Sequence, residues 1–291
     1  MKYRIVHQTA YHYSEPASLS QNELILNPRE TSVQQVIHNQ LVVSPEPQYE
    51  DARTDYFGNN IQVFMVQHPH TELAMTATSM VETHPSTGFS PEQTTPWEDV
   101  VRQLSIHSRS MELDAFQFVF ASPMVAISSK IKDYARVSFP PLRPVLEGSV
   151  DLMRRIFTEF TYDKSATNVD TRVDQVLAKR KGVCQDFAHL AIGCLRSLGL
   201  AARYVSGYME TQPPPGKPKL VGADASHAWL SLFIPGIGWV DLDPTNNLMP
   251  GERHITLAWG RDYGDVSPVK GVVMGGGRHS LSVTVDVTAQ E

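Results

Sequence analysis

Residues 180–200 read RKGVCQDFAHLAIGCLRSLGL. Phe187, Leu190, Ala191, Cys194, Leu195 and Leu198 recur at i, i+3, i+4, i+7, i+8 and i+11. That period predicts a helix with one buried face, which Gly199 ends. Cys184 falls in its first turn. The two cysteines then stand about 15 Å apart along the helix, beyond the reach of a disulfide. Cys194 lies on the apolar face and is expected to fill space. Cys184 meets the positive end of the helix dipole, and Lys181 adds charge beside it. Both favour the thiolate, the nucleophilic form of the group. On position alone, a packing role for Cys184 stands equally.

Upstream, Thr171-x-x-Asp174 has the form of a capping box, and Val173, Val176 and Leu177 line a short helix. Its last turn, Lys179-Arg180-Lys181, suits the negative helix end, with Gly182 as the stop. Ser149 is expected to cap a helix carrying Leu152, Met153, Ile156, Phe157 and Phe160 on one side. Trp97–Ile106 and Pro123–Ala135 are further helical patterns, and Phe139-Pro140-Pro141 with Pro144 breaks the chain after them. Residues 84–96, rich in Pro, Gly, Ser and Thr, read as a linker. Before the linker the chain reads as strands. Tyr3, Ile5 and His7 alternate, a β-rich run covers Thr9–Tyr13, and Leu24–Leu26 ends at Asn27-Pro28. Val33–Val43 is extended. A turn at Phe57–Asn60 leads into Ile61, Val63 and Met65 on one face, and Leu73–Val81 follows.

Downstream, the strand Ala202–Met209 precedes a Pro- and Gly-rich loop, Thr211–Ser226, with Pro213–Pro215 in a row. His227–Ile234 is the next strand, Pro235–Gly238 turns, and Trp239–Asp243 returns. Leu281, Val283, Val285 and Val287 alternate with polar residues in a final strand. The expected segments are a β-rich N-terminal domain (1–84), a helical connecting region (85–148), a core (149–255) and a C-terminal extension (256–291).

A cysteine nucleophile needs a base, and the base needs an orienting group. Of the 11 histidines, His189 is nearest in sequence but turns away around the helix, which suits a structural hydrogen bond. His227 is better placed. Ala228, Leu230, Leu232 and Ile234 form the apolar face of its strand, so His227, Trp229 and Ser231 point the other way. Matching that face to Val240 and Leu242 pairs Trp229 with Asp243. His227 then lies one diagonal from Asp243 on a shared face. Asp241 shares the face but lies farther off. The plainer roles are a solvated charge for either aspartate and, for Asp243, an Asp-Pro turn.

These three segments resemble those of the transglutaminase-like superfamily. Residues 180–190 are similar to its nucleophile segment, 222–229 (GADASHAW) to its histidine segment and 238–246 (GWVDLDPTN) to its aspartate segment, in the family's order. Residues 260–268 (GRDYGDVSP) and the β-rich N-terminus resemble a bacterial subgroup. The resemblance implies an α+β fold with a papain-like core, a helix packed on an antiparallel sheet, behind an N-terminal β-rich domain. It implies a Cys184, His227, Asp243 triad that transfers acyl groups through a thioester. The backbone N–H of Cys184 would serve an oxyanion hole, with Tyr162 either a second donor or a core aromatic.

The subgroup resembles candidate cysteine proteases, so hydrolysis of an amide or peptide bond is the favoured reaction. A transglutaminase joining glutamine to an amine uses the same residues, and a catalytically silent binding module would share the fold. The 291 residues are 41% hydrophobic with a net charge of −6. That composition excludes disorder and gives no electrostatic footprint for nucleic acid or an anionic membrane. The expected partner is a peptide or protein substrate. No secretory signal or spanning helix is apparent, so a cytoplasmic protein is expected. No cofactor and no metal are expected. No calcium loop occurs, His68-Pro-His70 reads as surface histidines, and a zinc at His227 would need further thiols or imidazoles, none of them evident. In the loop, Lys217 and Lys219 either meet acidic substrate groups or are simply solvated.

Overall fold

The computed structural model describes residues 1–85, 88, 90–106, 110–211 and 226–290. Five strands come first: β1 (Lys2–Leu24), β2 (Gln34–Ser44), β3 (Tyr49–Thr54), β4 (Asn60–Val66) and β5 (His70–Thr83). Four helices follow: α1 (Trp97–Ile106), α2 (Ser110–Phe116), α3 (Ser129–Arg136) and α4 (Val145–Glu159). Then come β6 (Thr161–Tyr162), α5 (Val173–Lys179), β7 (Lys181–Gly182) and α6 (Cys184–Ser197). β8 (Ala202–Met209), β9 (Ser226–Ile234), β10 (Gly238–Leu242) and β11 (His254–Gly260) build the central sheet. α7 (Tyr263–Val266), β12 (Val269–Gly275) and β13 (His279–Gln290) complete the described chain. The fold is α+β, as expected. No described helix is long and apolar enough to cross a membrane.

The central sheet is antiparallel in the order β10-β9-β8-β11, and α6 packs on β8 and β9. Its hairpin register pairs Leu230 with Leu242 and Leu232 with Val240, the parity that the apolar alternation demands. α6 is buried from Asp186 to Ser197, not on one face alone. Its polar side chains tolerate this because each finds a partner. Arg196, for instance, donates to the carbonyls of Ala202 and Arg261 and to Ser122 Oγ.

The N-terminal sheet is organised by β1. One flank pairs with β5 through the first half of the strand and with β4 through the second. The other flank pairs with β13 and then β12. The segments expected at Tyr3–Tyr13 and Leu24 thus belong to one long strand. The region 256–291 supplies two strands to this sheet, while β11 straddles residue 255. In β13 only Val285 and Val287 are buried, against β1, and Leu281 and Val283 are exposed. In β4 the buried positions are Ile61, Phe64 and Val66, and Val63 and Met65 are only half-buried.

Several local signals were overruled by distant partners. α4 begins after Pro144, and Ser149 lies inside it, its hydroxyl donating to the Val145 carbonyl. The cap comes from Thr94, whose hydroxyl accepts from the Leu146 N–H. α5 begins after Arg172, and no Thr171–Asp174 box forms. Asp174 instead accepts from Ser128, which caps α3. The helix expected over Pro123–Ala135 is therefore only Ser129–Arg136. α5 is stopped by Arg180 in the left-handed conformation (φ 54°), not by Gly182. A non-glycine residue there costs about 1–2 kcal/mol. The Arg180 guanidinium offsets it by stacking on Tyr134 and Phe160 and pairing with Glu159. Most of the Pro- and Gly-rich loop, including Pro213–Pro215, Lys217 and Lys219, lies outside the described residues, as do residues 86, 87 and 89 of the linker.

Gly207 pairs with His227 on one side and Thr256 on the other. A Cβ there would strike the Ile255 carbonyl and the Trp229 indole. Gly207→Ala is expected to lose about 1–3 kcal/mol of stability by overpacking. Gly251→Ala, whose Cβ would meet open space, should stay within about 0.5 kcal/mol of wild type. Urea denaturation of the two variants measures the contrast.

Candidate active site

Cys184 opens α6, half-exposed, with its thiol free. Val183 at the N-cap has no side-chain acceptor, so Asp186 reaches back to accept from the Val183 N–H at 2.8 Å. Asp186 also accepts from Thr167 Oγ1 at 2.7 Å. A Cβ at Gly182 would collide with that carboxylate, so the glycine belongs to the cap. Lys181, expected to support the thiolate, is exposed and faces Asp163 at 3.7 Å. The cation at Cys184 is His227.

His227 Nε2 lies 2.7 Å from Asp243 Oδ2. Asp243 sits just past β10, in the register that the hairpin alternation demands, and is fully buried. Its two oxygens divide the work. Oδ1 accepts from the backbone N–H groups of Thr245 and Asn246, which makes the Asp-Pro turn. Oδ2 accepts from His227 and from Asn246 Nδ2 at 2.7 Å. The turn role and the imidazole role are thus both real. Burial would raise the Asp243 pKa, but the bonds from His227, His254 and Asn246 and the His227 charge hold it well below the usual carboxylate range.

A carboxylate only accepts, so His227 must carry a proton on Nε2. Nδ1 is the nitrogen not engaged by that carboxylate. Burial would lower the His227 pKa. Hydrogen bonds to Asp243 and Cys184, together with their charges, outweigh it and raise the value to about 10. The raised value favours the imidazolium at neutral pH, with buried Asp243 as its anionic partner.

His254 was not anticipated. Its Nε2 lies 3.1 Å from the same Asp243 Oδ2, and its ring is buried. The earlier expectation that no further imidazole lies near His227 is corrected. His227, Asp243 and His254 bring their ligating atoms within 4.8 Å of one another, close enough in principle for a metal ion. The contacts as they stand are hydrogen bonds, two N–H groups on one carboxylate oxygen. Asp241 is not a solvated charge either. It accepts from Trp229 Nε1 at 3.0 Å and from the Ser231 hydroxyl, fixing the indole beside His227.

His189 is neutral and buried, and accepts from the Tyr263 N–H at 3.1 Å. Desolvation lowers its pKa to about 4. That bond ties α6 to the segment 260–268, where Asp262 caps α7 and binds the Met124 N–H. Cys194 is fully buried, and burial pushes its thiol pKa up. Tyr162 pairs with Gly182 across β6 and β7. Its side chain is exposed, not a core aromatic, and its pKa is raised by partial burial first and by Cys184 second. His70 is buried, not a surface group, with Nε2 on Ser20 and Nδ1 on the His68 carbonyl.

The chain belongs to the transglutaminase-like superfamily. Residues 138–244 match that superfamily, and residues 3–82 match the bacterial transglutaminase-like N-terminal region. An uncharacterised protein of Mycobacterium tuberculosis is 39% identical, over 100% of this chain and 93% of the relative. A protein-glutamine gamma-glutamyltransferase of Pseudomonas aeruginosa is 34% identical over 92 residues, 31% of this chain and 14% of the relative. A crystal structure of a candidate cysteine protease from Cytophaga hutchinsonii shares the fold. Its TM-score is 0.77 at 22% identity, covering 100% of this chain and 92% of that one.

The His227 pKa is raised above its unfolded value, so its contribution to stability is full below about pH 6.5. It is lost as pH rises through about 10. In an NMR titration the His227 ring should keep both protons until that range. Asp243→Asn should lower its midpoint by more than one unit. Wild-type titration near the ordinary histidine value would contradict the ion-pair geometry.

Proposed function

We propose that the protein is a cysteine-dependent hydrolase of amide or peptide bonds. The observation that carries this reading is His227 set between two groups that both act on its charge, Cys184 at a helix N-terminus and the buried carboxylate that its Nε2 meets at 2.7 Å. Nucleophile, acid–base group and orienting group then follow one another in the order that acyl transfer needs.

The Cys184 thiolate attacks the substrate carbonyl carbon. The oxyanion that forms is met by the Cys184 backbone N–H, with the Tyr162 hydroxyl as second donor. As the C–N bond breaks, His227 gives its Nδ1 proton to the departing amine. A thioester remains on Cys184. Neutral His227 then takes a proton from water, the hydroxide attacks the thioester carbon, and the acid leaves as the thiolate is restored. Asp243 keeps the ring in the tautomer with Nδ1 toward sulfur throughout.

Water needs no second binding site, whereas an amine acceptor does. The Pseudomonas aeruginosa relative favours a second reading, in which a glutamine acyl group passes to an amine. The substrate is a peptide or protein in both. We expect action in the cytoplasm, where reducing conditions keep Cys184 a thiol.

Incubating the protein with casein and a small primary amine separates the readings by mass spectrometry. Hydrolysis yields new termini or deamidated glutamine, and cross-linking yields amine adducts in their place. Cys184→Ala should lower either product by about a thousandfold or more. Cys194→Ser should leave the rate near wild type. Product formation that survives Cys184→Ala would overturn both readings.

A further inference from the structure

His254 touches no reacting atom in the scheme above, yet it is built into the site. It donates to Asp243 Oδ2, the oxygen that holds His227. Its ring stands edge-on to Trp229 at 5.3 Å and 85°, and 5.9 Å from the His227 ring. Trp229 is in turn fixed by Asp241. His254 is therefore locked on two sides, by the carboxylate and by the indole.

The strand that carries it is held from outside the core. β11 is an edge strand of the central sheet, and a free edge leaves backbone groups without partners. Two side-chain amides of the N-terminal region stand in for the missing strand. Gln34 gives its Nε2–H to the Thr256 carbonyl and accepts the Thr256 N–H, both at 2.7 Å. Asn59 does the same for Trp259, at 2.8 and 3.0 Å. Arg29 stacks on the Trp259 ring at 3.6 Å, and Thr83 binds the Glu252 carbonyl. A void of about 50 Å³ at this seam is lined by Gln34, Thr83, Asp241, His254 and Thr256.

We infer that His254 is a positioning residue for His227, acting through Asp243, and that the N-terminal region holds it in place by clamping β11. The inference rests on the acyl-transfer reading. Oδ2 carries three donors, so its position is over-determined, and with it the direction of the His227 ring. Among the described residues, the titratable groups facing His227 are Cys184 from α6, Asp243 after β10 and His254 from β11. Without the His254 donor Oδ2 keeps two of its three donors, and its hold on the direction of the His227 ring loosens.

The test is the pH profile of Cys184 alkylation by iodoacetamide in the full chain, resolved by mass spectrometry and read beside Tm. Wild type should be alkylated faster than free cysteine near neutral pH. His254→Phe keeps a ring but removes the donor, and should slow that reaction about tenfold, the worth of a hydrogen bond to a charged group. His254→Gln restores an N–H and should recover to within about threefold of wild type. Gln34→Leu should shift the profile in the direction of His254→Phe. An unchanged profile in folded His254→Phe overturns the inference while leaving the acyl-transfer reading intact. Equal losses in both His254 variants that merely follow Tm reduce the residue to packing and also overturn it. Ordinary thiol behaviour in wild type overturns the acyl-transfer reading, and this inference with it.

Discussion

A carboxylate with no exposure to solvent is the constraint around which the active region is arranged. Burying an unpaired charge is prohibitive, so Asp243 dictates what surrounds it. Three N–H donors converge on Oδ2 and two on Oδ1. They come from β9, from β11 and from the turn after β10. Each element that supplies a donor is thereby fixed in relation to the others. The imidazolium that this carboxylate stabilises is also the group at the thiol, so the demands of burial and those of chemistry coincide. That coincidence explains why a polar face survives in a sheet that is otherwise covered.

The parts of this arrangement that were legible in the sequence are those set by short-range periodicity. The α6 pattern placed Cys184 at a helix start and Cys194 in the core. The alternation in β9 and β10 fixed the parity that brings His227 to Asp243. What escaped were groups whose partners are remote. His254 lies on a strand of its own, and nothing local marks it as a donor to Asp243. Thr94 caps a helix at Leu146, 52 residues away from it in sequence, so Ser149, the residue with capping chemistry nearby, was the natural but incorrect choice. Arg180 takes a glycine-like conformation because Tyr134, Phe160 and Glu159 gather around its side chain. A pattern of neighbours cannot reveal that.

Asp241 and Asp262 illustrate the same division. Both have the composition of surface residues, and both are consumed internally. Asp241 steadies the indole beside His227, and Asp262 ends a chain of contacts that reaches α6 through Tyr263 and His189. The stretch 260–268 thus reaches the helix that carries the thiol through His189, five residues along from Cys184.

β1 lies between β5 and β13, and Lys2 pairs with both Glu82 and Gln290. During synthesis the first of these partners emerges early and the second only at the far end of the described chain. At about 5–20 residues per second, one flank of β1 waits many seconds for its mate. Its unsatisfied amides are exposed to any other extended segment meanwhile. The slow step of maturation in such a topology is the late capture of a strand, since closure over so long a chain is entropically costly. The newborn polypeptide is therefore vulnerable to aggregation until β13 has docked on β1.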